Sequence, residues 1–131
     1  MLKVSKKGGY ALKAVLYIAE NNEKLLKISD LSKELNISES LLRRIISDLE
    51  KSGVVSTIKG RVGGVKLGKE FNQISVYDIL KSVGEELGIT DCTKGLFCEN
   101  STNCSTTNLF TNLQKSFNGI LKLQTLDKII K

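Results

Sequence analysis

Histidine is absent from this 131-residue chain, and that absence removes whole classes of chemistry. Ser-His and Cys-His nucleophilic catalysis and His-ligated zinc all need an imidazole. Proline is absent too, so no proline-rich linker divides the chain, and no internal repeat is visible. Long apolar runs are missing. The longest, Ala14 to Ala19, is far shorter than the roughly 20 residues of a membrane-spanning helix. The start, Met1-Leu2-Lys3-Val4-Ser5-Lys6-Lys7, leads into a helix interrupted by Lys13 and has no small-residue cleavage site, so no signal peptide is expected. No acid–base constellation or nucleotide-binding loop is present, so the chain is not expected to be an enzyme.

What is present suffices for one domain, or one domain with an appendage. Hydrophobic residues make up 40% and charged residues 26%, enough to bury a modest core. The net charge of +6 is unevenly placed. Residues 1–70 carry 14 Lys/Arg against 8 Asp/Glu, whereas residues 71–131 carry 6 of each. A basic half beside a neutral half is the electrostatic footprint of a nucleic-acid-binding module, although a soluble basic surface would look the same by charge alone.

The periodicity predicts mostly helix. Ser5 to Asn22 has almost no polar face and reads as a buried helix, a candidate for a place between subunits. Ser29 is expected to cap a short helix holding Leu31 and Leu35. Asn36-Ile37 then turns the chain, since asparagine tolerates the left-handed conformation. Ser38 caps the next helix, with Leu41, Leu42, Ile45, Ile46 and Leu49 at three- and four-residue spacing and Gly53 at its end. Two β-prone runs, Val54–Ile58 and Val65–Leu67, flank a glycine-rich tip, Lys59-Gly60-Arg61-Val62-Gly63-Gly64. Ser75-Val76-Tyr77-Asp78 has the capping-box pattern and opens another helix. Asp91 to Asn108 reads as a polar loop. From about Thr107 a helix of about 27 Å carries Phe110, Leu113, Phe117, Ile120 and Leu121 as one stripe, which suits pairing with a second subunit. Thr125 is expected to cap a last short helix, Leu126–Ile130.

The fold expected is therefore mainly α with a small β-hairpin wing: a winged helix-turn-helix over residues 1–74, then a cysteine loop and dimerisation helices over 75–131. In that arrangement the second helix of the motif enters the major groove of double-stranded DNA by its N-terminal end. Its apolar stripe faces inward, which leaves Ser38, Ser40, Arg43, Arg44 and Ser47 to face outward. Serines there can bond phosphates or base edges, and arginine can bridge a guanine. Lys59, Arg61 and Lys66, at or beside the wing tip, are placed for phosphate or the minor groove. The competing account of each charge is an ordinary solvated face.

Cys92, Cys98 and Cys104 are three thiols within 13 residues, in a loop of Gly, Ser, Thr and Asn. An odd count without a secretion signal argues against a disulfide scaffold and for a reducing cytoplasm. Structural cysteines normally hide in apolar cores, whereas thiolates in polar surroundings suit a soft metal or an iron–sulfur cluster. Zinc, which wants four ligands for a closed site, and a thiol-oxidation switch are the alternatives.

Tyr10-Ala11-Leu12, the wing Gly60-Arg61-Val62-Gly63-Gly64-Val65-Lys66-Leu67 and the Cys92-x5-Cys98-x5-Cys104 triplet together resemble the winged-helix iron–sulfur transcription regulators, the IscR/NsrR/CymR-like family, over essentially the full length. The resemblance implies a homodimeric cytoplasmic regulator, a repressor, with long helices crossing at the dimer interface. It also implies an iron–sulfur cluster on Cys92, Cys98 and Cys104 whose state tunes DNA affinity in response to nitric oxide, redox or iron–sulfur status. CymR-like members carry no cluster, so a regulator switched by thiol oxidation, a small ligand or a partner protein is the alternative. Two departures bear on the cluster. The histidine that IscR-like members place three residues after the third cysteine is Thr107 here, and the early aspartate of NsrR-like members is replaced by Lys7-Gly8-Gly9-Tyr10. Both [2Fe–2S] and [4Fe–4S] remain compatible. The fourth position falls to Glu99, Ser105, Thr107, a partner's Tyr10, or an exogenous thiol or water. A site with no strong fourth protein ligand would expose one iron to attack. A partner-protein sensor that no longer binds DNA is disfavoured by the basic wing and by Arg43 and Arg44.

Overall fold

A computed structural model describes residues 4–88 and 107–130, with the side chain of Thr107 left aside. Helix α1 (Lys6–Glu20) starts where Ser5 Oγ accepts the Gly8 N–H at 3.1 Å. Its buried residues are small or β-branched, among them Ala11, Ala14, Val15 and Ile18, which lets the helix lie close against its neighbours. Helix α2 (Ile28–Leu35) is followed by α3 (Glu39–Lys51), the strands β1 (Val55–Ile58) and β2 (Gly64–Leu67), and α4 (Val76–Ser82). The long α5 (Thr107–Leu123) and the short α6 (Leu126–Ile129) complete the described order. The architecture is helical with one two-stranded antiparallel hairpin, the winged helix-turn-helix expected.

The turn between α2 and α3 follows the residues closely. Asn36 adopts φ 54°, the left-handed conformation. With it in place, Asn36 N–H reaches Lys33 O and Ile37 N–H reaches Ser32 O, the paired bonds of a Schellman cap. Ser38 then accepts the Leu41 N–H at 3.4 Å and starts α3. At the other end Gly53, with φ +83°, repeats the Schellman pattern through Gly53 N–H to Glu50 O and Val54 N–H to Leu49 O. Ser75 and Asp78 form the reciprocal capping box at the start of α4, each bond 3.1 Å.

Two local expectations are corrected and one element is added. Helix α2 begins at Ile28 with Lys27 in the N-cap position and no side-chain cap, so Ser29 lies inside the first turn. The cause is non-local. Leu26 pairs with Val65 through both backbone groups, at 3.1 and 2.6 Å, so the chain enters the helix straight from a third, one-residue strand. Thr125 occupies the N-cap of α6 without bonding its backbone, and its hydroxyl instead meets the carboxylate of Asp127. A 3₁₀ turn, Phe71–Gln73, capped reciprocally by Glu70 and Gln73, fills a stretch the periodicity leaves blank.

Leu42, Ile45, Ile46 and Leu49 of α3 pack into one core with Ala14, Val15 and Ile18 of α1, Val54, Val55 and Val65 of the hairpin, Ile79 of α4 and Leu126 of α6. At about 1.5–3 kcal/mol per large buried side chain, the four residues of α3 alone bind that helix firmly to the body. The outer face of α3 is thereby fixed.

Candidate nucleic-acid interface

Once Leu42, Ile45, Ile46 and Leu49 point inward, helical geometry puts Ser40, Arg43, Arg44 and Ser47 on the outer face at i, i+3, i+4 and i+7, and all four are exposed. Ser38 is exposed at the N-cap, its oxygen engaged by the Leu41 N–H and its hydroxyl proton still able to donate. The stripe divides between two depressions. One is a groove of about 500 Å³ between α3 and the wing, where Arg43, Ser47 and Glu50 face Lys59 and Arg61. The other lies toward α1, where Arg43, Arg44 and Ser47 meet Lys7, Asp48 and Lys51.

The wing is held to α3 by specific contacts. Thr57 Oγ1 donates to Glu50 Oε1 at 2.7 Å, and Gly68 N–H donates to Val54 O at 2.9 Å at the base of the hairpin. The strand register pairs Thr57 with Val65 and Ser56 with Lys66. Because side chains alternate across a strand, Thr57 and Val65 share the inward face, and Lys66 points from the opposite one. Lys59 and Arg61 therefore belong to the groove beside Arg43, and Lys66 stands on the outer face of the wing. Gly64 is required where it is: a Cβ there would lie 2.5 Å from the carbonyl oxygen of Leu26.

Two ion pairs modulate the face. Lys7 Nζ donates to Asp48 Oδ2 at 2.9 Å, and Arg43 Nη2 donates to Glu39 Oε1 at 2.6 Å. Among the described residues, Arg44, Lys51, Lys59 and Arg61 have no carboxylate within ion-pair distance. The result is a surface with unpaired cations at both flanks and a tethered one in the middle. Sequence reasoning missed Lys7, Lys27, Ser29, Glu39 and Lys51 on this face. For Lys27 and Ser29 a signal exists, since the first helix of such a motif crosses the phosphate backbone.

Cys92, Cys98 and Cys104 lie outside the described residues, as do Glu99 and Ser105, and of Thr107 only the backbone is described. Tyr10 is half-buried against the core. Among the described residues no cluster of His, Cys, Asp or Glu could hold a metal ion, and no helix is long and apolar enough to cross a membrane.

The comparisons with known proteins agree with the geometry. Over 131 residues the chain is 32% identical to the HTH-type transcriptional regulator IscR of Vibrio atlanticus, covering 99% of this chain and 76% of that one. It is 32% identical to IscR of Cronobacter sakazakii, over 98% of this chain and 80% of that one. Among solved structures it is similar to IscR of T. potens, with a TM-score of 0.77, 26% identity, and coverage of 98% and 86%. It is also similar to CymR, the global cysteine regulator of B. subtilis, with a TM-score of 0.80, 25% identity, and coverage of 98% and 96%. The family model Rrf2, described as an iron-dependent transcriptional regulator, matches residues 4–131, and the chain belongs to that family of transcriptional regulators.

Proposed function

We propose that this chain is a homodimeric DNA-binding repressor whose affinity for its operator is tuned by an iron–sulfur cluster on Cys92, Cys98 and Cys104. The observation that carries the DNA reading is the groove in which Arg43 and Ser47 of α3 face Lys59 and Arg61 of the wing. A helix and a hairpin side by side, both basic, fit a major groove and the adjoining backbone. Residues 1–74 supply this surface, and residues 75–131 supply the sensor loop and the dimerisation helix. Ser38, Ser40 and Arg44 join Arg43 and Ser47 on the reading face. Lys66, on the outer face of the wing, serves as a phosphate contact.

The dimer is supported by α5. The exposed residues Leu109, Leu113, Ile120 and Leu123 recur at spacings that put them on one stripe. An apolar stripe of that length on a small domain is the kind of surface a second copy covers.

The cluster is supported by the donor set. Three soft thiolates at equal spacing suit iron–sulfur chemistry, and no alternative set of ligands exists among the described residues. The cysteines would hold the cluster; when bound, it supplies a redox- and nitric-oxide-sensitive centre. A second, cluster-free reading has one observation in its favour, the structural likeness to CymR. Anaerobic purification with an absorption spectrum and counted iron and sulfide separates the two. A coloured protein whose operator affinity changes when the cluster is removed supports the first reading. A colourless protein with a disulfide or zinc supports the second.

A further inference from the structure

Glu39 is out of place on a surface built to meet phosphates. It is the acidic residue in the first turn of α3, the end that enters the groove, and its side chain is 44% exposed. A carboxylate there opposes every phosphate the helix approaches, because duplex affinity rises as cations replace condensed counterions. Stability is a weak reason for it: an exposed i,i+4 pair contributes only about 0–1 kcal/mol, and a carboxylate in the first turn gains only about 0.3–1 kcal/mol from the helix dipole. Among the described residues its side chain bonds Arg43 alone, at 2.6 Å, and Arg43 lines both depressions of the candidate interface.

We propose that Glu39 is a sequence-selecting residue of the recognition helix, a positioning residue that acts through Arg43. This rests on α3 being the DNA-reading helix. A guanidinium carries five N–H donors. With one accepted by Glu39 Oε1, the group is held along the helix and the remaining donors are presented to a base edge as a planar fork. An untethered arginine would instead take the nearest phosphate. Glu39 thus works in two directions at once. It pre-orients Arg43 for the O6 and N7 acceptors of a guanine, and it competes with phosphate for the guanidinium wherever that guanine is missing.

The test uses the full-length protein and two duplexes of equal length: one selected by the wild type from a randomised pool, and one scrambled. Affinities are measured at one salt concentration for wild type, Glu39→Gln, Glu39→Ala, Arg43→Ala and the double variant, with thermal melting to confirm folding. Both Glu39 variants should bind the scrambled duplex more tightly and the selected duplex no more tightly, so the ratio falls about tenfold, within the range of one bidentate base contact. In the Arg43→Ala background, removing Glu39 should change the ratio no further. An unchanged ratio in both Glu39 variants, or an equal loss without Arg43, overturns the role of Glu39 while leaving DNA binding intact. A wild type that selects no sequence overturns the DNA-reading assignment itself.

Discussion

Arg43 and Arg44 are neighbours in sequence but about 100° apart around the helix, and the difference decides what each can reach. Arg43 lies between the wing and the α1 side, tethered to Glu39. Arg44 borders the depression shared with Lys7 and Lys51, not the groove beside the wing, and has no carboxylate partner among the described residues. Replacing Arg43 by alanine should therefore cost about 1–3 kcal/mol on a selected duplex and relax preference at one base pair, while replacing Lys59 or Arg61 should weaken all duplexes alike. Removing a cation that neutralises one phosphate should also flatten the dependence of log affinity on log salt by about 0.9. Titrations of fluorescent duplexes at several salt concentrations check both. If Lys59→Ala changed the preferred sequence and left the salt slope intact, the wing would be reading bases. At this scale the sequence is informative because outward-facing positions follow from the apolar stripe. The pairing of Arg43 with Glu39, one turn apart, is permitted by the spacing, but many such spacings on a charged helix form no bond.

Elements whose ends are set by local chemistry are legible: the left-handed Asn36, the Ser38 cap, Gly53 after α3, and the Ser75–Asp78 box. Those set by distant partners are not. The start of α2 depends on Leu26 pairing with Val65, far along the chain. The start of α1 is legible from Ser5, which caps it locally, but the contact that pins it is not: the Glu85 carboxylate, beyond α4, accepts the Ser5 N–H at 2.8 Å. The stripe expected on α5 also divides once packing is known. Phe110, Phe117 and Leu121 are half-buried or partly covered, whereas Leu113 and Ile120 turn outward with Leu109 and Leu123. The Leu26–Val65 pairing gives the wing a testable weak point. In Gly64→Ala the new methyl would be forced against Leu26 O at 2.5 Å, so the hairpin or the α2 entry must shift. A loss of about 2 kcal/mol in chemical denaturation is expected, with weaker duplex binding as the wing leaves Arg43. Full retention of both would show that the hairpin is not clamped as described.

For the whole molecule, the first question is whether two copies act together. Leu113 and Ile120 are 46% and 57% exposed, so a charge at either disturbs little of the monomer's own core. Leu113→Glu should melt close to the wild type yet sediment as a monomer, because an unpaired carboxylate buried between two helices costs several kcal/mol. Its affinity for a palindromic duplex should fall steeply, since each half-site would then be bound alone. A variant that stayed dimeric would move the interface off this stripe. The second question is how the cysteine segment relates to stability. The core formed by α1, α3, α4, the hairpin and Leu126 is continuous among the described residues alone. Serine in place of Cys92, Cys98 or Cys104 should therefore leave thermal melting of the cluster-free protein nearly unchanged. It should abolish stable iron and sulfide binding, because a hydroxyl is a poor substitute for a thiolate at iron. Iron and sulfide analysis of each anaerobically prepared variant, beside its melting curve, checks the two halves separately. Loss of fold in a serine variant would place that cysteine in the structural framework, and retention of iron in all three would remove the cysteines from the metal site.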